Sequence, residues 1–316
     1  MAKIKDFQIN SKKIFKISLI VYAAILLIGI VFGIIFGVSL DINFKGGTRI
    51  TYAFNGDIKD KDFDAAVGEV VKSKYTISRN TSIAGDTDTF TVSLVGKKSL
   101  SAKTQEELTE KLNEKFADNS IELYDSNSVS PTVAGTFFLK SLVAVLIAAA
   151  LVVVYVGIRF KKIGGITAAL TALCALVFDL MVTFVACIVF RLQIDSNYIA
   201  VVLTILGYSL NDTIVCYDRV RENKKLFPEL TTEQNMNFSI KGILTRNIVT
   251  SVTTSLAVLT IVVVSELYGL SSLRTFAIPM TFGLLSGCVS SLFIAGPLWV
   301  VWRKRIDNKK KSKQKA

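Results

Sequence analysis

Long uncharged runs dominate the pattern of apolar and polar positions. Residues 17–40, 141–158, 247–265 and 275–302 carry no charge, residues 163–190 carry only Asp179, and residues 196–217 carry only Asp212. A helix needs about 20 mostly apolar residues to cross a bilayer. The pattern therefore predicts six spans, at 17–40, 137–158, 163–190, 194–217, 246–267 and 275–302. The first run is longer than the core of a cleavable signal and reads as a retained span.

Between spans one and two the periodicity changes. Gly46–Phe54 is strand-like, and Asp60–Lys74 sets Phe63, Ala66, Val67, Val70 and Val71 at helical spacing. Tyr75–Ile83 is strand-like again, and Phe90, Val92 and Leu94 alternate with Thr91 and Ser93. Ala102–Phe116 carries a helical stripe of Leu108, Leu112 and Phe116, and Ile121 and Leu123 open a last strand. The order β-α-β-β-α-β predicts a ferredoxin-like domain over 41–136. The fold class is thus a polytopic α-helical membrane protein with one α+β domain between its first two spans. A ferredoxin-like domain names no function by itself. With no catalytic pattern in it, this one reads as a binding or coupling module. Asn80-Thr81-Ser82 is a formal glycosylation sequon of a kind common by chance.

Charge orients these pieces. The chain of 316 residues holds 37 basic and 25 acidic residues, a net charge of +12. Basic residues crowd the N-terminal segment 1–16 (Lys3, Lys5, Lys12, Lys13, Lys16) and the turn after span two (Arg159, Lys161, Lys162). They recur in the 218–245 connection and in the 303–316 tail. The positive-inside rule places these segments in the cytoplasm and the 41–136 domain outside. The tail reads as a topology determinant touching anionic lipid rather than nucleic acid. Within 218–245, Met236, Ile240, Ile243 and Leu244 form the apolar stripe of an amphipathic helix. Thr231 and Gln234 cap it, and it leads into Arg246.

Absences narrow the chemistry. There is no His, which excludes His-ligated metals, Ser-His-Asp triads and His proton relays. Cys174, Cys187, Cys216 and Cys288 fall in apolar spans without a C-x-x-C pair, so they read as packing residues. No phosphate-binding G-x-x-x-x-G-K-[ST] loop occurs. No cofactor or metal is predicted.

The intramembrane carboxylates are the sharpest feature. A charge at a helix centre costs about 2.5–3.5 kcal/mol on insertion scales, and such residues mark ion or proton routes. Asp179 sits among large apolar neighbours and reads equally as a titrating group or a hydrogen-bonded structural one. Asp212 sits with Gly207, Tyr208, Ser209, Asn211 and Thr213, a stretch too polar for a lipid-facing helix, and reads as functional. Arg246 opens span five, and Thr250, Thr253 and Thr254 continue from it as a polar file. Gly29, Gly33 and Gly37 in span one, and Gly283, Gly287 and Ser290 in span six, predict close helix approach.

These residues carry a resemblance. The G-Y-S-x-N-D-T core of Gly207–Thr213, followed by D-R-x-R-E-N from Asp218, Arg219 and Arg221 onward, resembles the SecF branch of the SecD/SecF family, in the RND superfamily. Phe44, Gly46, Gly47 and Thr48 resemble the family's D-F-x-G-G-T element, with Asn43 in the usual Asp position. Arg246, Thr250, Ser251, Thr253 and Thr254 resemble its R-x-x-x-T-S-x-T-T run, and Gly287–Ser291 its last-span motif. The resemblance covers essentially the whole chain. It implies a multi-pass subunit in a bacterial cytoplasmic membrane that pairs with SecD, a similar six-span protein. The pair would associate with the SecYEG channel, with or without a YidC-type insertase, and use the proton-motive force to promote late export of unfolded polypeptides. It further implies that Asp212, Arg246 and Asp179 occupy the family's proton-coupling positions.

Three rivals remain. A proton-driven small-molecule exporter of the same superfamily would need a large aromatic or Met-lined outer cavity. An intramembrane aspartyl protease resembles G-x-G-D and Y-D motifs, and only Tyr217-Asp218 spells one of them. A scaffold without ion chemistry would not need Asp212. The orientation itself is testable by cysteine labelling. A cysteine on the polar side of the domain's second helix, at position 106, should react with an impermeant maleimide from outside the cell and one at 230 only after the membrane is opened; the reverse pattern would overturn the topology.

Overall fold

The computed structural model describes residues 11–73, 75–80, 88–96 and 100–315. Lys3, Lys5, Ile83 and the Thr81-Ser82 half of the sequon lie outside the described residues, as do the side chains of Lys12 and of the tail from Lys309 on. Among the described residues, six helices are long and apolar enough to cross a membrane. They are α1 (Ser11–Phe36), α5 (Pro131–Arg159), α6 (Gly165–Val189), α7 (Ser196–Leu226), α8 (Thr232–Leu267) and a composite sixth. The composite runs from α9 (Ser271–Ser290) through a π turn (Ser291–Ala295) into α10 (Gly296–Lys315). Helices α6, α7 and α9 form the interior, and α1, α5 and α8 turn large apolar side chains outward.

Small residues set the packing. In lipid, close van der Waals approach replaces the hydrophobic effect between helices. A Cβ on Gly283 would lie 2.0 Å from Ile205 Cδ1, and one on Gly287 would lie 3.0 Å from Ser209 Cβ. A Cβ on Gly29 would meet the side chain of Val185 at 2.5 Å. The span-one stripe is shorter than its spacing predicts: the contact at Gly33 is ordinary, and Gly37 lies beyond α1 in open space.

The amphipathic helix and span five are one helix. Thr231 and Gln234 close a reciprocal capping box at its start, and α8 then runs unbroken for 36 residues. At 1.5 Å per residue this is about 54 Å, well beyond the ~30 Å hydrocarbon core. The buried Asn235 and Ser239 tie its first turns to α7 through Val220 O (3.1 Å) and Asn223 Nδ2 (2.8 Å). No breaker separates the two predicted pieces, and this packing carries the helix through.

After α1 comes a one-turn α2 (Ile42–Lys45), then β1 (Gly47–Phe54), α3 (Asp60–Val70), β2 (Thr76–Asn80), β3 (Asp88–Val95), α4 (Ala102–Lys115) and β4 (Glu122–Val129). The sheet order is β2-β3-β1-β4 with antiparallel pairs, the ferredoxin-like topology. Tyr52, Phe54, Phe63, Phe90, Leu108 and Leu112 fill its core, with the Phe63 and Phe90 rings stacked at 4.1 Å.

The way into the domain and the way out of it cross at Gly46-Gly47. These residues have φ of +77° and +135°. A Cβ on Gly46 would sit 2.8 Å from the Pro131 Cα at the start of α5, and one on Gly47 would sit 1.9 Å from the Leu94 carbonyl oxygen. Only glycine meets both the conformation and the contact. Gly47→Ala should therefore lower the domain's resistance to limited proteolysis and its thermal midpoint, at a cost of at least about 1–3 kcal/mol. A wild-type melting profile would contradict this reading.

Candidate ion-coupling site

Asp179 lies at the centre of α6 and is fully buried. Three serine hydroxyls donate to it from two other helices. Ser209 Oγ on α7 and Ser290 Oγ on α9 reach Oδ2 at 2.6 and 2.8 Å, and Ser286 Oγ on α9 reaches Oδ1 at 2.6 Å. Tyr22 on α1 extends the cluster, its hydroxyl 3.0 Å from Ser286 Oγ and its ring 4.9 Å from that of Phe178. The bundle interior thus supplies the donors that water would otherwise supply. The π turn begins directly after Ser290, a common association of π turns with functional positions.

Asp212 is also buried, one helical turn beyond Ser209 on α7. Its surroundings differ. Oδ2 has no hydrogen-bond partner among the described residues, and neither do the nearby Ser251 Oγ and Asn247 Nδ2 of α8. The charge of Arg246 acts on Asp212, and Ser251 and Cys288 lie beside it. No ion pair joins Asp212 to Arg246 among the described residues. A cavity of about 630 Å³ runs between α7 and α8, bounded by Val215, Asp218, Arg219, Gly242 and Arg246. Arg246 is among the residues that line it.

The predicted polar residues divide into two sets. Ser209 and Thr213 are buried, and Tyr208 donates to Thr254 Oγ1 at 3.1 Å, which joins the threonine file to α7. Thr250 contributes its carbonyl, which accepts from the Thr254 hydroxyl at 2.9 Å. Asn211, Gly207 and Thr253 point out of the bundle, so the expected relay does not run through them. Successive residues on a helix face different ways, and only Ser209, Asp212 and Thr213 share the inner face. The D-R-x-R-E-N residues form a charge cluster at the end of α7. Asp218 pairs with Arg159 (3.2 Å) and Arg221 (2.8 Å), and Arg219 pairs with Glu222 (2.7 Å). Phe44 packs on Phe137 and Phe138, and Thr48 Oγ1 accepts from Leu100 N at 2.9 Å.

Sequence reasoning missed Tyr22 and Ser286. The available signal was the i, i+4 pair Ser286 and Ser290 in an otherwise apolar span. The protease motif also resolves here. The Tyr217 hydroxyl is buried against Thr171 at 2.7 Å, and Asp218 is held by two arginines. Asp179 spends its oxygens on serines, whereas a protease dyad needs two carboxylates sharing one proton.

The family described as "Protein export membrane protein SecD/SecF, C-terminal" matches residues 108–305. The chain belongs to the SecD/SecF family. Protein translocase subunit SecF of Alicyclobacillus acidocaldarius is 34% identical over 297 residues, covering 93% of this chain and 92% of that protein. SecF of Borreliella burgdorferi is 30% identical and covers 94% of this chain and 98% of its own length. Protein translocase subunit SecDF of Bacillus subtilis is 33% identical over 98% of this chain, which spans only 39% of that protein. The crystal structure of SecDF from Thermus thermophilus superposes with a TM-score of 0.79 at 26% identity, covering 95% of this chain and 39% of that one. The family and the six apolar helices make this a multi-pass protein of a bacterial membrane.

The serine cage makes a specific expectation. Asp179→Asn keeps size and two polar sites and should fold. Asp179→Leu leaves three buried hydroxyls without their acceptor, at roughly 1–3 kcal/mol per orphaned group. The Leu variant should melt clearly below the Asn variant in detergent, and equal melting temperatures would show that the cage contributes nothing.

Proposed function

We propose that the chain is an accessory subunit of the Sec protein-export machinery that works as one half of a unit with SecD, driven by the proton-motive force. The observation that carries this reading is Asp212, a buried carboxylate with an unpartnered oxygen, under the charge of Arg246, which lines a cavity rich in charged residues. A carboxylate held in that state binds or releases a proton as its distance to the cation changes. Asp179, with every oxygen engaged, is the fixed polar floor behind it. Pairing with SecD is supported by relatives in which a chain like this one is two fifths of a single SecDF polypeptide. It is supported again by Gly207, Asn211 and Thr253, polar or small positions on the outward face of spans four and five, where a second bundle would cover them.

In this proposal both termini are cytoplasmic and the α+β domain is outside, next to the exit of the SecYEG channel and a YidC-type insertase. The basic tail lies on anionic lipid. One proton crossing about 100 mV releases about 2.3 kcal/mol. That biases a two-state equilibrium roughly fiftyfold, since about 1.4 kcal/mol is tenfold. Such a bias is enough for the domain to alternate between holding and releasing an emerging unfolded polypeptide. A nucleotide-hydrolysis step plays no part in it. The small-molecule exporter reading is weaker, because Tyr52, Phe54, Phe63 and Phe90 are in the domain's own core and line no outer cavity among the described residues.

Asp212→Asn keeps size and removes titration. Cells carrying it should assemble the subunit with its partner at normal levels, yet export should lose its dependence on the proton gradient. Export in that variant that still slows normally when the gradient is collapsed would remove Asp212 from the mechanism.

A further inference from the structure

The junction between the α+β domain and the membrane bundle contains a buried ion pair that the ion-coupling site does not use. Asp41, just past span one, is fully buried. Its Oδ1 receives the guanidinium of Arg49, and its Oδ2 receives Asn43 Nδ2 at 2.7 Å. Arg49 lies on β1, the central strand that pairs with both β3 and β4. Asp41 is in turn stitched to the segment joining spans three and four. Asp41 N donates to Ile194 O at 3.0 Å, and Ile194 N donates to Ser39 O at 2.9 Å.

The next residue, Asp195, caps α7. Its Oδ1 accepts from the amides of Asn197 (2.9 Å) and Tyr198 (3.2 Å). Its Oδ2 accepts from Thr275 Oγ1 at the start of α9 (3.1 Å) and from Asn197 Nδ2 (3.1 Å). The positive charge of Arg49 also acts on Asp195. One arginine of the domain is thus in contact with one buried carboxylate and within the field of a second. The second carboxylate sets the first turn of the helix that carries Asp212.

We propose that Arg49 is a positioning residue that couples the α+β domain to span four, acting through Asp41 and the 39–41/194 bridge on the Asp195 cap. Asn43 belongs to the same device. It stands where the family resemblance places a carboxylate, and here its amide donates to Asp41 at 2.7 Å. Asp41 and Arg49 stand on either side of α2 and Gly46-Gly47 in the chain, so the ion pair spans the glycine hinge and anchors it with charge. A movement of β1 that draws Arg49 off Asp41 leaves a buried charge unpaired, a state of high energy. Domain position and the seat of α7 therefore change together.

This inference rests on the proposed proton-coupling role of Asp212, and its test separates the two. The full chain with its partner is studied as wild type, Arg49→Gln, Arg49→Lys, the Asp41→Asn/Arg49→Gln pair and Asp212→Asn. Amide hydrogen exchange of the first turn of α7 is measured beside gradient-dependent export. Arg49→Gln should speed exchange at residues 196–199 at least tenfold, leave the β1–β3 ladder protected, and abolish gradient-dependent export. Arg49→Lys should retain both wild-type behaviours. If Arg49→Gln does not fold, the double variant leaves no buried charge orphaned and should show the same loosening. Unchanged α7 exchange in whichever of these two variants folds, or wild-type export in it, overturns the coupling. Loosened exchange together with normal gradient dependence in Asp212→Asn would instead keep the linkage and discard the proton role.

Discussion

A carboxylate inside a helix bundle has to be solvated by the protein itself. The cost of leaving an ion unpaired in a medium of low dielectric is several kcal/mol, so the position of Asp179 dictates what its neighbours are. Two helices, α7 and α9, place three hydroxyls on it, and those hydroxyls need α6, α7 and α9 packed closely. The glycines of α9 follow from the same requirement. Gly287 lies directly against Ser209, and any side chain there would push Ser209 off the carboxylate. The interior helices of the bundle and its polar centre are one construction.

That construction gives Asp212 its contrast. Both acids are buried and one helical turn of α7 joins their surroundings, since Ser209 bonds Asp179 and Thr213 bonds the carbonyl of Ser209 at 3.5 Å. Asp179 is saturated; Asp212 has an oxygen without a partner and a cation whose charge reaches it without contact. A saturated acid resists change, because every movement breaks a short bond. An undersaturated acid near a movable guanidinium is responsive to small displacements. Two chemically identical side chains thus take a fixed and a variable role from geometry alone, a separation that also appears where paired carboxylates divide acid and base work.

Much of this was legible in the residues. Uncharged run length announces a span regardless of partners, so all six were visible, and alternation at Phe90, Val92 and Leu94 exposed the sheet. Helix faces were less legible. Ser209, Asn211 and Thr213 look equivalent as a polar string, yet a rotation of about 100° per residue sends Asn211 outward. Tyr22 and Ser286 stayed hidden because their role exists only across helices far apart in sequence. Asp179 was ambiguous for the same reason, as its apolar sequence neighbours surround the helix while its bonding partners come from α7 and α9. The continuity of α8 was hidden by a change in character, from an amphipathic start to an apolar remainder; Gly242 lies just before the join at Leu244 and Arg246, yet no proline does, and the helix runs through.

The placement of glycine and charge at the domain junction completes the physical picture. A domain tethered by two flexible links would dissipate any movement of the bundle, since loops of unfixed conformation lose the force in their own entropy. Here the two links touch, with Gly46 against Pro131, so the domain turns about a single point. A single contact fixes a pivot and leaves rotation about it free. The buried Asp41–Arg49 pair lies a few residues from that pivot and removes one direction of rotation. What remains is a domain with few allowed positions, each tied to a definite seating of the loop between spans three and four. Under the proposed proton coupling, about 2 kcal/mol per proton is enough to select among a few such positions, whereas it could not impose order on a freely swinging domain.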